Sequence, residues 1–417
     1  MNLIKQTHPA SRLWLSLIMV GIGAGIAGIT LTHLLHFVQH HAFGYALNGE
    51  TVPFRVGVEE ASGTRRFVVL LLCGLLAGGG WYLLKRFGRP LVSLKTSLGQ
   101  PTQGLPFKET MCHVFLQIAT VGMGSPLGRE TAPREMSAAL ASLWIRRRGI
   151  GADDAKLLLA CASGAGLAAV YNAPLAGTLF TLEVMLCLWN ARAAAAALLT
   201  SAVAVAVARL GLGDEVQYHL AEAALDTPLL LWAVPAGAVF GVLAVWFKRS
   251  TERLPLWPRD SRRNVVAAVA AFGMIGVLAV FFPDILGNGK AGNQLAFGGL
   301  ISGAGGLDLF AVKWLAVLLA LAVGTYGGLI TPSMMLGSMA AVTLASLWNV
   351  FLPAVPSDAA ALLGAAAFLA VSMKMPVTAL VFALEITRVS PAFWLPLTLC
   401  TASALWAARL AEREKAV

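Results

Sequence analysis

The chain has 417 residues, 58% of them hydrophobic and only 12% charged, with a mean hydropathy of +0.74 and a formal net charge of +10. Soluble domains carry about 25% charged residues, so most of this sequence cannot face water and a helical membrane protein follows. The basic residues lack the interleaved aromatics that stack on single strands, which speaks against a nucleic-acid partner.

The first apolar run, Leu13–Val38, is too long and too Gly-rich for a signal-peptide core and shows no small-residue cleavage site. It reads as a first membrane helix. Near its outer end stand His33, His36, His40 and His41, with no carboxylate or Cys at ligand spacing, so no metal site is expected. Further apolar runs follow at Phe67–Leu84, Ala193–Ala208, Leu229–Phe247, Val265–Phe282 and Phe310–Val323. Several approach the roughly 20 residues a spanning helix needs. Leu157–Val170 and Ala361–Met373 are shorter, and each runs into an Asn or Lys followed closely by Pro. Such interrupted segments predict broken helices.

Basic residues cluster at Lys5/Arg12, Lys85/Arg86/Arg89, Arg146–Arg148, Lys248–Arg263 and Arg409–Lys415. Acidic residues gather instead at Glu50/Glu59/Glu60 and at Asp214/Glu215/Glu222/Asp226. The positive-inside rule then places both termini in the cytoplasm. The cysteines Cys73, Cys112, Cys161, Cys187 and Cys400 form no CxxC and read as buried small hydrophobes.

Two motifs recur in order. NAPLAGTLFTLEV from Asn172 matches KMPVTALVFALEI from Lys374, aligning Pro174 with Pro376 and Glu183 with Glu385. GRETAP (Gly128–Pro133) matches GGLITP (Gly327–Pro332), each a Gly, four residues and a Pro. The chain therefore reads as a duplicated unit, residues 1–212 and 213–417, in one integral membrane domain with no soluble domain. If each copy crosses an odd number of times, the copies are inverted and their breaks meet near the midplane. GRETAP and GGLITP then each start a helix inside the membrane, with Pro in the first turn. Free amides and the positive dipole end make each start an anion site.

Glu130 is the leading candidate, because an ionisable residue at membrane depth is functional by default. At a helix start its carboxylate competes with an anion, and protonation releases it. The Thr331 hydroxyl can donate to a small hard anion or cap the helix. Gly128, Arg129, Thr131, Leu329 and Ile330 are the expected companions, through backbone amides and loop geometry. Arg134 and Glu135 read as a first-turn pair; Glu183 and Glu385 read as a shared structural position, with proton access the alternative for Glu183; Met334, Met335 and Met339 read as core.

These motifs resemble the CLC family of chloride channels and proton-coupled transporters. GRETAP is similar to the family's G-R-E-G-P, GLITP from Gly328 to its second-half G-x-F-x-P, AAVYNAPLAGTLFTLEVM to its NAPLAG segment, and GNGK (Gly287–Lys290) to a Gly-rich turn. The resemblance implies an all-α polytopic fold of inverted repeats with broken, tilted transmembrane helices, a homodimer, and anion sites at helix starts. It needs no cofactor. Val184 stands where the family has a second, inner Glu; Thr131-Ala132 add a residue before Pro133; Thr331 replaces an Ala. The first filter motif has no clear match, its place falling at Leu91, Val92 and Ser93. The family's filter Tyr lies on a final helix, whereas the last Tyr here is Tyr326. This set resembles the fluoride-exporting branch, so the resemblance implies a fluoride/proton antiporter of the bacterial inner membrane. A chloride/proton antiporter or chloride channel is the alternative. An enzyme is not expected, since no HExxH, GxSxG or CxxC occurs, and an anion sensor would need a signalling domain.

Overall fold

A computed structural model describes residues 9–45, 52–222, 224–254 and 261–413, with side chains from residue 12 onward. The charges read at Lys5, Glu50 and Lys415, and part of the Lys248–Arg263 cluster, lie outside those residues. The helices in chain order are α1 (Pro9–Phe43), α2 (Phe54–Glu60), α3 (Gly63–Phe87), α4 (Leu94–Gly99), α5 (Phe107–Gly122), α6 (Thr131–Arg148), α7 (Ala152–Tyr171), α8 (Pro174–Phe180) and α9 (Ala191–Leu212). After the acidic segment come α10 (Thr227–Glu252), α11 (Arg262–Phe281), α12 (Lys290–Phe297), α13 (Gly303–Ala322), α14 (Ile330–Phe351), α15 (Ser357–Ser372), α16 (Pro376–Thr387) and α17 (Trp394–Arg413). Among the described residues no strand forms.

Nine of the described helices are long and apolar enough to cross a membrane: α1, α3, α7, α9, α10, α11, α13, α14 and α17. Large apolar side chains such as Leu72, Leu83, Leu231, Trp246 and Val266 point outward. In water they would be a liability; in a bilayer they face hydrocarbon.

One compact unit comprises α1 as far as Thr32, Arg89–Val114 and Ala132–Glu215. Leu17, Ala138, Leu158, Cys161 and Ala197 share its core. Gly21 and Gly25 of α1 lie directly on the backbone of α9 at Thr200 and Ala204, a small-xxx-small approach that lets two helices pack without large side chains. In this unit α7 is buried over 89% of its apolar window. The short run Leu157–Val170 is thus short because it faces protein, not lipid.

The second unit comprises His33–Gly88, Phe115–Thr131 and the chain from Val216 on. Gly74 and Gly78 of α3 rest on Val265 and Ala268 of α11, and Gly237 and Gly241 of α10 rest on the Cys400 and Ala404 backbone of α17. Helix α15 is buried from Asp358 to Ser372. At 16 residues it falls short of the roughly 20 a lipid-facing span needs. Compactness and sequence duplication partition the chain differently: the two units interleave, whereas the duplicated motifs follow one another.

The two matched Pro-led motifs share a backbone pattern, each taken by itself. Asn172 (φ 56°) and Lys374 (φ 54°) both turn left-handed two residues before the Pro that opens α8 or α16. Each copy ends on a second left-handed residue, Cys187 (φ 51°) or Arg388 (φ 50°). From Pro174 to Cys187 is 187 − 174 = 13 positions; from Pro376 to Arg388 is 388 − 376 = 12. The extra residue sits in a π-helical turn, Thr181–Leu186, that continues α8, and a π turn is how a helix absorbs one insertion.

Three cysteines, Cys73, Cys161 and Cys400, are buried as expected, but Cys112 and Cys187 are exposed. Cys187 is the left-handed residue that ends the π turn, so its position is set by the chain reversal rather than by core packing.

Candidate anion site

Helix α14 starts at Ile330, with Leu329 as its cap residue. Leu329 carries no side-chain oxygen to satisfy the first amides. The Glu130 carboxylate does so: Glu130 is fully buried, and its Oε1 accepts the Ile330 N–H at 2.6 Å. When the carboxyl is ionised, a bond of this kind is charge-assisted. The carboxylate therefore holds the place a free anion would take at that helix start.

Two glycines make room for it. Gly128 N–H donates to Gly328 O at 2.6 Å and Gly328 N–H donates to Gly128 O at 2.8 Å, forming an isolated antiparallel bridge. A Cβ on either glycine would run into the Glu130 carboxylate. The two chain segments come together only because neither carries a side chain there.

The bridge corrects two expectations. The motifs align Gly128 with Gly327, but the bridge pairs Gly128 with Gly328. The left-handed glycines Gly124 (φ 99°) and Gly324 (φ 74°) keep the same register, each four residues ahead of its bridging partner. The residue added before Pro133 accounts for the slip. Gly128 is also not a free amide for an ion, since its N–H is engaged with Gly328; its contribution is the absence of a side chain.

Other expected residues fall as follows. Thr331 is buried in the first turn of α14, and the cap position belongs to Leu329. Arg129 is buried to 8% exposure. Thr131 is half-buried and opens α6. The first filter candidates sit in an extended stretch ahead of α4, where Ser93 caps the helix by accepting the Thr96 amide at 3.1 Å and Val92 is exposed. Glu183 and Val184 lie in the π turn, both half-buried, and Glu385 lies on α16. The expected Arg134–Glu135 pair has separate partners. Arg134 reaches Ser163 Oγ at 3.3 Å and stacks over Phe180, whereas Glu135 faces His113 Nε2 at 3.3 Å. Neighbouring helical positions point apart, so they meet different elements. Met334, Met335 and Met339 are core.

Sequence reasoning missed the surroundings of Arg129 and Glu130. His36 lies within electrostatic reach of the cations Arg129 and Lys290 and of His40 and His33. Tyr218, from the segment ahead of α10, is buried at 3% exposure beside Asn293 of α12 and feels both Arg129 and Glu130. Burial pushes its phenol above the ordinary tyrosine range; Asn293 and Arg129 oppose the rise and the Glu130 charge adds to it. Neither residue lies in a motif, and nothing in their spacing marks them. A second buried cation, Lys313 of α13, donates to Ile285 O at 2.7 Å and Gly287 O at 2.8 Å, anchoring the GNGK turn.

Comparison with known proteins follows the same lines. Residues 73–409 match the family described as voltage gated chloride channel. The chain is 27% identical over 386 residues to a voltage-gated ClC-type chloride channel ClcB of Citrobacter koseri, covering 88% of this chain and 89% of that one. It is 24% identical over 398 residues to an H(+)/Cl(-) exchange transporter ClcA of Vibrio vulnificus, covering 91% and 83%. Among solved structures it resembles a slow cyanobacterial Cl-/H+ antiporter with TM-score 0.77 and 21% identity, over 98% of this chain and 99% of the other. It also resembles a CLC-type fluoride/proton antiporter with TM-score 0.68 and 19% identity, over 97% and 98%.

Proposed function

Since this chain belongs to the CLC family, a multi-pass membrane protein of the CLC fold, we propose that it exchanges a halide for protons, with Glu130 as gate and proton carrier. The observation that carries this reading is the Glu130 carboxylate seated on the Ile330 amide. An anion and a carboxylate compete for one helix start. A carboxylate expelled into a buried setting is costly as a charge, so it leaves as the neutral acid. Anion entry and proton uptake are thereby linked at one side chain.

Two features favour fluoride as the halide. Thr331 places a hydroxyl in the first turn of α14, where a small, strongly hydrated anion needs hydrogen-bond donors. Val184 removes a second acid from the helix that bears Glu183. The fluoride/proton antiporter among the structural neighbours agrees with this. Chloride is the second reading, favoured by the names of the ClcB and ClcA relatives. The protein works in the inner membrane as a homodimer, with its basic loops and termini in the cytoplasm, in line with the resemblance and the positive-inside rule.

The test uses the purified protein in liposomes. A fluoride gradient and a chloride gradient are applied in turn while proton uptake is followed. Proton uptake driven by the halide is expected, and its loss in Glu130→Gln. Halide flux with no proton movement in the unaltered protein overturns the exchange reading, and faster chloride than fluoride exchange overturns the choice of fluoride.

A further inference from the structure

Helices α10 and α17 run in the same direction. Gly237 and Gly241 of α10 lie on the α17 backbone at Cys400 and Ala404, and further along Arg249 Nη2 donates to Ala411 O at 2.8 Å. Past the last of these glycines a cavity of about 570 Å³ opens between the two helices. Trp246, Arg249 and Arg253 line it from α10, and Ala407, Leu410 and Ala411 from α17. With Val242, the α10 residues recur at intervals of four, three and four, the spacing of one helix face. The other face of α10 is committed to protein: Phe240, Ala244 and Phe247 are buried, Phe247 against Trp314 and Phe368.

Charge and polarity in the cavity are divided. Near the two helix ends stand Lys248, Arg249, Arg253, Arg409 and Arg413 against Glu252 and Glu412. Each helix C-terminus adds about half a negative charge, so the cations still exceed the carboxylates and dipole ends by about two units. Arg249 caps α17 through the Ala411 carbonyl. A guanidinium carries five N–H donors, enough to hold that carbonyl and the oxygens of an anion together. The rest of the wall is apolar. Ala407 and Ala411 carry only a methyl group, so the groove recedes beside the arginines, and Trp246 and Leu410 stay exposed at its edge. A free ion has no use for such a wall, whereas a molecule with a negative head and an apolar body matches both parts. Exposed Trp beside basic side chains is the pattern of a helix end at headgroup level.

We propose that this cavity holds one anionic phospholipid, its phosphate between the guanidinium groups of Arg249 and Arg253 and the upper part of its acyl chains along Val242, Trp246 and Leu410. Basic pockets between membrane helices take such headgroups. The cavity volume lies within the range of small-ligand sites; it takes the headgroup and the start of the chains, which continue into the bilayer. The lipid ties the ends of α10 and α17 together. The site rests on none of the argument for the Glu130 seat.

The test is native mass spectrometry of the purified full chain in neutral detergent, supplied in turn with dioleoyl phosphatidylglycerol, dioleoyl phosphatidylcholine and inorganic phosphate. One phosphatidylglycerol per chain is expected to stay bound and to raise Tm, with no matching adduct for the other two. Arg249→Gln and Arg253→Gln are each expected to weaken that binding about fivefold, as the loss of one cation beside an anionic headgroup does. Ala407→Phe fills the groove without changing the charge and is expected to abolish the adduct; should it fail to fold, the exposed Arg253→Gln keeps the test decisive. Arg147→Gln, an exposed cation on α6, is expected to leave the adduct unchanged. No phosphatidylglycerol adduct, or equal retention of phosphatidylcholine, overturns the proposal. Equal weakening in Arg147→Gln assigns the binding to general surface attraction and overturns it too. Inorganic phosphate held as tightly as the lipid makes this a site for free anions, and an unaltered adduct in Ala407→Phe removes the lipid from the groove; either result sinks the assignment.

Discussion

Glu130 takes its hydrogen bond from Ile330, 200 positions further along the chain, at 2.6 Å. Nothing local explains that contact. It exists because Gly128 and Gly328 bond to each other through both of their amides and hold the two loop ends side by side. On the proposed function, a seat shared by a carboxylate and an anion makes anion binding pH-dependent. Lowering the pH protonates Glu130, removes the competitor and tightens halide binding; raising it does the reverse. Isothermal titration of the purified protein with halide at several pH values is expected to show this trend, and Glu130→Gln is expected to bind halide tightly at every pH. A pH-dependent affinity of the same slope in Glu130→Gln would place the titrating group elsewhere.

Gly328→Ala tests the seat from its other wall. The added Cβ would overlap the Glu130 carboxyl, and backbone on both sides is pinned by the bridge, so the side chain must yield. The gate is expected to stand open, with passive halide flux raised and fewer protons moved per halide. Overpacking of a buried site costs about 1–3 kcal/mol, so the variant is expected to fold with a lower Tm. Unchanged coupling in a folded Gly328→Ala protein would show that the carboxylate does not need this seat.

The sequence made the helix starts legible because Gly and Pro have few other uses at membrane depth. Pro133 and Pro332 fall in first helical turns, and Pro174 and Pro376 each open a helix. Duplication made Glu130 and Ile330 partners in principle, since both belong to matched motifs. The register of the bridge was not legible, because Gly327 and Gly328 are adjacent and only the left-handed glycines at 124 and 324 decide between them. Nor was the surrounding polar shell. Tyr218 and Asn293 come from unrelated segments and meet through tertiary packing, which carries no periodicity. The Arg134–Glu135 pair misled for a similar reason: adjacency in sequence is separation on a helix.

A pH effect of another kind is expected at Asp284, in the short turn after α11. Burial first, and then the neighbouring Glu59 carboxyl, raise its pKa to about 6, with Arg55 opposing. Arg55 is itself paired to Glu59 at 2.6 Å. A carboxyl whose folded pKa is raised stabilises the folded arrangement in its protonated form. That stabilisation is fully present below about pH 4, the ordinary carboxyl value, and is lost as pH rises through about 6. Amide hydrogen exchange in α2, corrected for its intrinsic pH dependence, is therefore expected to be slower at pH 5 than at pH 8. Asp284→Asn is expected to remove the difference; an unchanged difference in that variant would refute the assignment.

Lys313 offers the sharpest test of how the Gly287–Lys290 turn is held. Its ammonium is fully buried and bonded to the Ile285 and Gly287 carbonyls. Burying the charge is unfavourable, yet removing the donor strands two carbonyls away from water. Each unsatisfied group costs about 1–3 kcal/mol, which Lys313→Met incurs while recovering part of the desolvation of the ammonium. The carbonyl loss is expected to win, because the ammonium is already solvated by those same oxygens. Lys313→Met is therefore expected to unfold at lower temperature in detergent and to exchange amide hydrogens faster at Gly287–Asn293. Lys313→Gln keeps a donor without the charge and is expected to fall between the two. If Gln destabilises as much as Met, the positive charge rather than its hydrogen bonds holds the turn.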